Sequence, residues 1–204
     1  MRIRQHVNPL RADFLEIALE PLVLPAGPPV EVELGSADAQ FLQERAVEEP
    51  RRFYVGVEIR RELVEQANRR CRRMGLSQVH SVFANIAVDL LRLFRPARVA
   101  RFFVNFPDPW FKQRQRKRRV VNEDLIGQMA LLLEAGGEIH VATDIFDIAL
   151  DAMAALERAE GFGNMREPWS FLRRSPFAAR SRRERRCEDL GIKIWRLAYR
   201  RQQA

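Results

Sequence analysis

The run VEVELGSADAQF, residues 30–41, passes from a β-rich segment into a small-residue turn and then into a helical pattern. VEVEL (30–34) follows a Pro/Gly-rich turn and reads as a strand, with a helix expected over 38–48. The same unit then recurs along the chain. FYVGVEI (53–59) is the next strand, and ELVEQANRRCRRMG has Leu63, Val64, Ala67, Cys71 and Met74 at helical spacing, stopped by Gly75. Strands follow at VHSVFA (79–84) and RVARFFVNF (98–106). Asn122 can cap a helix through Leu133 that ends at Gly136 and Gly137; EIHVAT (138–143) is the fifth strand and a helix over 145–159 follows. Strands alternating with helices predict an α/β fold with a doubly wound, mainly parallel sheet and helices on both faces, Rossmann-like in class. No repeat, low-complexity tract or linker interrupts the rhythm, so residues 1–204 are expected to form one domain.

Such sheets bind ligands beyond the carboxyl ends of their strands. The residues found there are Glu33 and Gly35, Glu58, Asn85, Asn105 to Asp108, and Asp144. An acidic residue ending the second strand suits the hydroxyls of a ribose, which makes Glu58 a nucleoside-binding candidate; a helix cap or a solvated carboxylate is the alternative. A nucleotide-binding loop after the first strand usually carries several glycines, and GSADA retains only Gly35.

The formal net charge is +8, a surface that attracts polyanions. Of 35 basic side chains only Lys112, Lys117 and Lys193 are lysines. Six basic residues fall among the eight from Lys112 to Arg119, directly after a Pro107-Asp108-Pro109 elbow. Cys71 and Cys187 lie far apart and His6, His80 and His140 form no ligand pattern, so free thiols and no metal are expected. With no apolar leader and no run of about 20 apolar residues, a cytoplasmic protein off the membrane is expected.

FPDPWFKQRQRKRR (106–119) resembles the signature PDPWHKxRHxKRR of the bacterial tRNA (guanine-N7-)-methyltransferase family, and the resemblance extends over nearly the whole chain. VELGSADAQF (32–41) stands at that family's E-x-G-x-G-x-G loop, GVEI (56–59) at its second-strand motif and Asn85 at its adenine side. ATD (142–144) matches A-T-D, SRRE (181–184) stands at T-x-x-E, and LGIKIWRL (190–197) resembles the closing L-G-x-x-x-W. Ala37 and Ala39 replace loop glycines, Phe111 replaces the signature histidine, and Ser181 replaces threonine. The resemblance implies a class I S-adenosylmethionine-dependent methyltransferase that modifies a guanine in the tRNA variable loop. It implies cofactor contacts at Glu33, Gly35, Glu58, Asn85 and Asp108, and substrate contacts at Ser181, Arg182, Arg183 and Glu184.

The residues carry the same chemistry. Guanine N7 already has a lone pair, so neither a strong base nor a covalent nucleophile is required; positioning and electrostatics supply the rate. A carboxylate can accept from guanine N1-H and the N2 amino group, a role open to Asp108, the catalytic candidate, and to Asp144. The prolines around Asp108 predict extended backbone at Phe106 and Asp108. Lys112 and the arginines after it would meet tRNA phosphates, with Trp110 or Phe111 available to stack on an extruded base. RRSPFAARSRRERR (173–186) reads equally as a disordered basic arm, and Trp195 and Leu197 as core. A methyltransferase acting on another base, or a non-catalytic RNA-binding protein whose GSADA loop no longer binds cofactor, are the rival readings. If the loop keeps the family's path, each alanine carries a positive-φ penalty or pushes its methyl toward the cofactor and weakens binding; a loop moved into a conformation alanine tolerates, with the cofactor still bound, is the expectation. The partner is tRNA, bound by a monomer or a homodimer.

Overall fold

The computed structural model describes residues 7–109 and 121–202. Its centre is a seven-stranded sheet of order β3-β2-β1-β4-β5-β7-β6. The parallel strands are β1 (Val30–Leu34), β2 (Phe53–Glu58), β3 (Val79–Phe83), β4 (Val99–Asn105) and β5 (Leu133–Thr143). Strands β6 (Phe162–Asn164) and β7 (Trp195–Arg201) complete one edge in antiparallel pairing. The α/β doubly wound expectation therefore holds. The helices are α1 (Ala12–Leu15), α2 (Gln40–Glu48), α3 (Arg61–Arg73), α4 (Ile86–Leu93), α5 (Glu123–Leu132), α6 (Phe146–Arg158) and α7 (Arg182–Asp189).

Successive residues of a strand face opposite sides, so each strand of this sheet contributes to two different interiors. One face presents Val30, Val32, Leu34, Val55, Val57, Phe102, Val104, Ile139 and Val141 to α4, α5 and α6 and forms the apolar core. The other face carries Glu31, Arg101, Glu138 and Arg200, which register pairs directly across β1, β4, β5 and β7. Their charges alternate, and the ion pairs close at 2.8 Å (Arg101–Glu31), 2.9 Å (Arg101–Glu138) and 2.8 Å (Arg200–Glu138). Arg45 of α2 completes the row with two bonds to Glu31, at 3.1 and 3.0 Å. Both side chains are fully buried. Tyr54 donates to the carbonyls of Arg45 and Glu49, and Phe177 covers the Arg45 guanidinium at 4.6 Å. Burial holds His140, above this row, below its usual range although Glu138 lies 2.9 Å away.

Two elements depart from expectation. Helix α5 ends at Leu132, and β5 begins at Leu133 with no loop between them. Gly136 and Gly137 do not stop the helix; they sit inside β5, where Gly136 has φ 77° and the pairing with β4 shifts register between Val99 and Arg101. Residues 173–186 are not an arm, because their second half turns into α7. Leu197 is buried, and Trp195 is half-buried between Phe146 and Phe171.

The charge row is a demanding way to fill an interior, since removing one partner leaves the other buried without compensation. Arg45→Met is expected to destabilise the protein by about 3 kcal/mol, the lower end for a buried pair because Arg101 still reaches Glu31. Urea unfolding measures it, and a loss below about 1 kcal/mol contradicts the role assigned to Arg45.

Candidate active site

A cavity of about 540 Å³ opens beyond the carboxyl ends of β1, β2 and β4. Glu33, Gly35, Ala37, Glu58, Asn105 and Asp108 all line it, and Val7, Pro9 and Leu10 form part of its wall. Strand-end position alone brings these residues together, as the parallel topology requires.

Glu33 lies on the same face of β1 as Glu31 and is 3% exposed. Its Oε1 accepts from Asn105 Nδ2 at 2.9 Å, while its Oε2 is buried with no hydrogen-bond partner among the described residues. No arginine or lysine among the described residues forms an ion pair with it, in contrast to Glu31. Burial therefore pushes its carboxyl up to about 8, with only Asn105 opposing. A buried carboxyl oxygen without a partner, on a residue that lines a cavity, is suited to a cationic or hydrogen-bond-donating ligand.

The turn after β1 is pinned by Gly35 and Ser36, whose N–H groups both donate to the Val57 carbonyl. Gly35 has φ 81°, Ala37 48° and Ala39 55°. The loop has not moved into a conformation that alanine tolerates: both alanines keep a left-handed path. Ala39 is wholly buried in the apolar cluster under α2 and does not line the cavity, whereas Ala37 does. Gly56 is required next door, because a side chain there would collide with Ser36.

Glu58 ends β2, 2% exposed, and accepts from Ala37 N at 2.8 Å and from Arg60 through both carboxylate oxygens. Arg60 is thus a site residue the sequence reading missed. Asn85 lines the cavity but its polar atoms are engaged elsewhere. Its Oδ1 caps α4 through Ala87 N at 3.1 Å, and its Nδ2 donates to the Pro9 and Phe14 carbonyls at 2.8 and 3.0 Å. Its side chain ties the N-terminal segment to the body.

Asp108 reaches the cavity through a bend the prolines do not predict. Phe106, expected to be extended, has φ 51°, an uncommon conformation for an aromatic residue before proline. Its N–H donates to the Ala142 carbonyl at 2.7 Å, and its ring packs on Ala142, Cys187 and Ile194. Those contacts hold the bend that turns Pro107 and Asp108 over the cavity.

Ser181, Arg182 and Arg183 form the opposite rim, at the start of α7. Ser181 Oγ accepts from Glu184 N at 3.2 Å, the N-cap bond that a Ser-x-x-Glu sequence signals. The Glu184 side chain turns inward, 3% exposed, to accept from Arg196 at 2.7 Å. Asp144 does not line the cavity, because Arg183 bonds its carboxylate. Carboxylates of α2 fix this segment: Glu48 accepts from Ala178 N at 2.9 Å, and Glu44 from Arg180 N at 2.9 Å and from Arg185 at 2.5 Å. Arg182 reaches Asp38 at 2.5 Å. Lys112, Trp110, Phe111 and the rest of the basic run lie outside the described residues. Both cysteines are buried free thiols.

Residues 28–197 match a family model described as "Putative methyltransferase". Over 200 residues the chain is 38% identical to a tRNA (guanine-N(7)-)-methyltransferase of Synechococcus sp. (strain JA-3-3Ab), covering 96% of this chain and 84% of that protein. Among solved structures, the 16S rRNA methyltransferase KamB superposes with a TM-score of 0.62 at 13% identity, over 86% of this chain and 89% of that one. Geranyl diphosphate C-methyltransferase from Streptomyces coelicolor A3(2), in complex with S-adenosyl-L-homocysteine, gives a TM-score of 0.57 at 14% identity, over 93% and 73%. These two likenesses show the fold.

Two measurements probe the loop and its carboxylate. Glu33 holds its proton in the folded state up to about 8 but releases it in the ordinary carboxylate range when unfolded, so stability falls as pH rises from about 4.5 through 8. Glu33→Gln removes that slope, and its stability relative to wild type is expected to rise by several kcal/mol, on the order of 4, between pH 5 and 9 in denaturant unfolding. A constant difference over that range contradicts a neutral Glu33. Ala37→Gly is expected to stabilise by about 0.5–1 kcal/mol, since relief of roughly 1–2 kcal/mol of left-handed strain outweighs the entropy of glycine in the unfolded chain. Ala39→Gly also loses a buried methyl worth about 0.8 kcal/mol and is expected to be near neutral. Equal effects at the two positions contradict the different surroundings of the two methyl groups.

Proposed function

We propose, for a chain that belongs to the tRNA (guanine-N(7)-)-methyltransferase family, that Asp108 holds the target guanine over a cofactor seat formed by Glu33, Gly35 and Glu58. The activity is S-adenosylmethionine-dependent methylation of guanine N7 in tRNA. The observation that carries the seat is the partnerless Glu33 Oε2 beside an open glycine turn: the donor set fits a ligand with an amino group at one end and ribose hydroxyls at the other. Glu33 takes the amino end, the Gly35 turn leaves room for backbone approach, and Glu58 shares its acceptor oxygens between Arg60 and the ribose. When bound, S-adenosylmethionine supplies a methyl group on a positively charged sulfur.

Catalysis by the chain is placement and charge. Asp108 accepts from guanine N1-H and N2 and so directs N7 inward, and its negative charge offsets the positive charge that grows on the base as N7 is alkylated. The N7 lone pair reacts without losing a proton, so no side chain acts as a base there. Arg182 and Arg183 meet the incoming RNA, a role that the signature resemblance also gives Lys112, while Ser181 and Glu184 act by building the helix start that presents the two arginines. Asp144 contributes through Arg183 rather than by touching the guanine. The target is a guanine of the variable loop, and the chain works as one methyltransferase domain in the cytoplasm. No helix among the described residues is long and apolar enough to cross a membrane.

Asp108→Asn preserves shape but turns one acceptor oxygen into a donor facing donors. Its kcat/KM for tRNA is expected to fall at least tenfold, about 1.4 kcal/mol of transition-state stabilisation, with the circular dichroism spectrum unchanged. Transfer of a labelled methyl group followed by nucleoside analysis measures the loss and identifies the product. Unchanged turnover removes Asp108 from the mechanism, and a product other than 7-methylguanine overturns the base assignment.

A further inference from the structure

The cavity wall continues outward over helix α3. Asp38 and Arg182, both at the cavity rim, also line a second concavity of about 210 Å³, whose other walls include Gln66, Arg69, Arg70 and Arg73. A third, of about 400 Å³, lies between Arg69, Arg72 and Arg73. Arg69 and Arg73 border both outer hollows, so the three form one groove running from the methyl-transfer site to the end of α3. Asp38 is the one carboxylate lining the outer hollows among the described residues: the acidic residues of α3, Glu62 and Glu65, stand in the helix's first half, and four of its last five residues are arginines.

Those arginines are poorly neutralised. Arg69 approaches Glu65 only at 3.7 Å and Arg70 approaches Asp38 at 3.9 Å, both beyond hydrogen-bond distance, and neither Arg72 nor Arg73 forms an ion pair among the described residues. Arginines of the charge row and of the cavity rim are closely paired, as at Arg45, Arg101, Arg182 and Arg196, whereas these are not. Attraction to the helix carbonyl end favours one or two cations in a last turn, but it does not make a concavity between them. Four arginines of α3 line the two outer hollows, and their guanidinium forks suit the charge and the oxygens of backbone phosphates.

We propose that the α3 groove, through Arg69 and Arg73, binds backbone phosphates of tRNA next to the methylated loop. This rests on the methyltransferase reading above and extends its RNA footprint to a surface remote from Asp108. Arg69 and Arg73 lie one helical turn apart on the same face, so they can grip successive phosphates.

The test is Arg69→Ala with Arg73→Ala, compared with Arg51→Ala with Arg95→Ala, which removes equal charge from outside the groove. Binding of tRNA across a salt series, read separately from methyl transfer, is expected to weaken about tenfold in the α3 variant at 0.15 M salt. The log-log salt slope is expected to fall by about 1.4–1.8, two contacts at 0.7–0.9 each, while S-adenosylmethionine affinity stays at the wild-type value. An unchanged slope, or an equal loss in the control pair, overturns the groove. Wild-type protein that binds tRNA but transfers no methyl group contradicts the activity and leaves the groove judged by the binding slopes alone.

Discussion

Glu31 and Glu33 sit two residues apart on one face of β1, and what separates their behaviour is the supply of arginine. Glu31 receives Arg45 and Arg101 and becomes the anchor of a charge row that crosses four strands. Glu33 receives only an amide hydrogen from Asn105 and keeps one buried oxygen without a partner. A carboxylate in a dry interior is costly unless compensated, so the first is a structural element and the second remains neutral until something arrives to compensate it. The same strand thereby welds the polar face of the sheet at one end and opens a ligand seat at the other.

The organisation of the sheet makes this possible. One face is an ordinary apolar interior; the other replaces part of that packing with paired charge and with Phe103 stacked on His140 and Phe177 edge-on to both. Helix α2 serves both ends of that face. Arg45 enters the row below, while Glu44 and Glu48 bind the backbone and arginines of the segment before and within α7. The rim that carries Arg182 and Arg183 is therefore fastened to the helix that follows the cavity-lining loop, and strain at Phe106, Ala37 and Ala39 is retained where these pieces meet.

Much of the fold was legible because strand and helix periods are local properties, and the strand-end list contains most of the residues that line the cavity. What escaped were residues with two possible uses. Asn85 was assigned to the cofactor, and that reading hid its capping signal and with it helix α4. Ser181 and Glu184 were assigned to the substrate, although Ser-x-x-Glu is also the start signal of α7. Gly136 and Gly137 follow a helical pattern and read locally as its stop, whereas burial of Leu132 and Leu133 at a direct helix-to-strand junction decides the boundary. Positive φ at Phe106 and the alanines contradicts local preference and is imposed by tertiary contacts, which no single-sequence pattern records. The pairing of Asp144 with Arg183 joins residues 39 positions apart and is invisible for the same reason.

In the proposed seat, a neutral Glu33 ionises when the cofactor's amino group reaches it. Calorimetric titration with S-adenosylmethionine at pH 6.5, in two buffers of different ionisation enthalpy, counts the protons exchanged on binding. Because the free carboxyl is held up to about 8, wild-type protein is predicted to release close to one proton per cofactor bound, and Glu33→Gln none. Equal proton counts for the two proteins would contradict a cofactor seat built on Glu33.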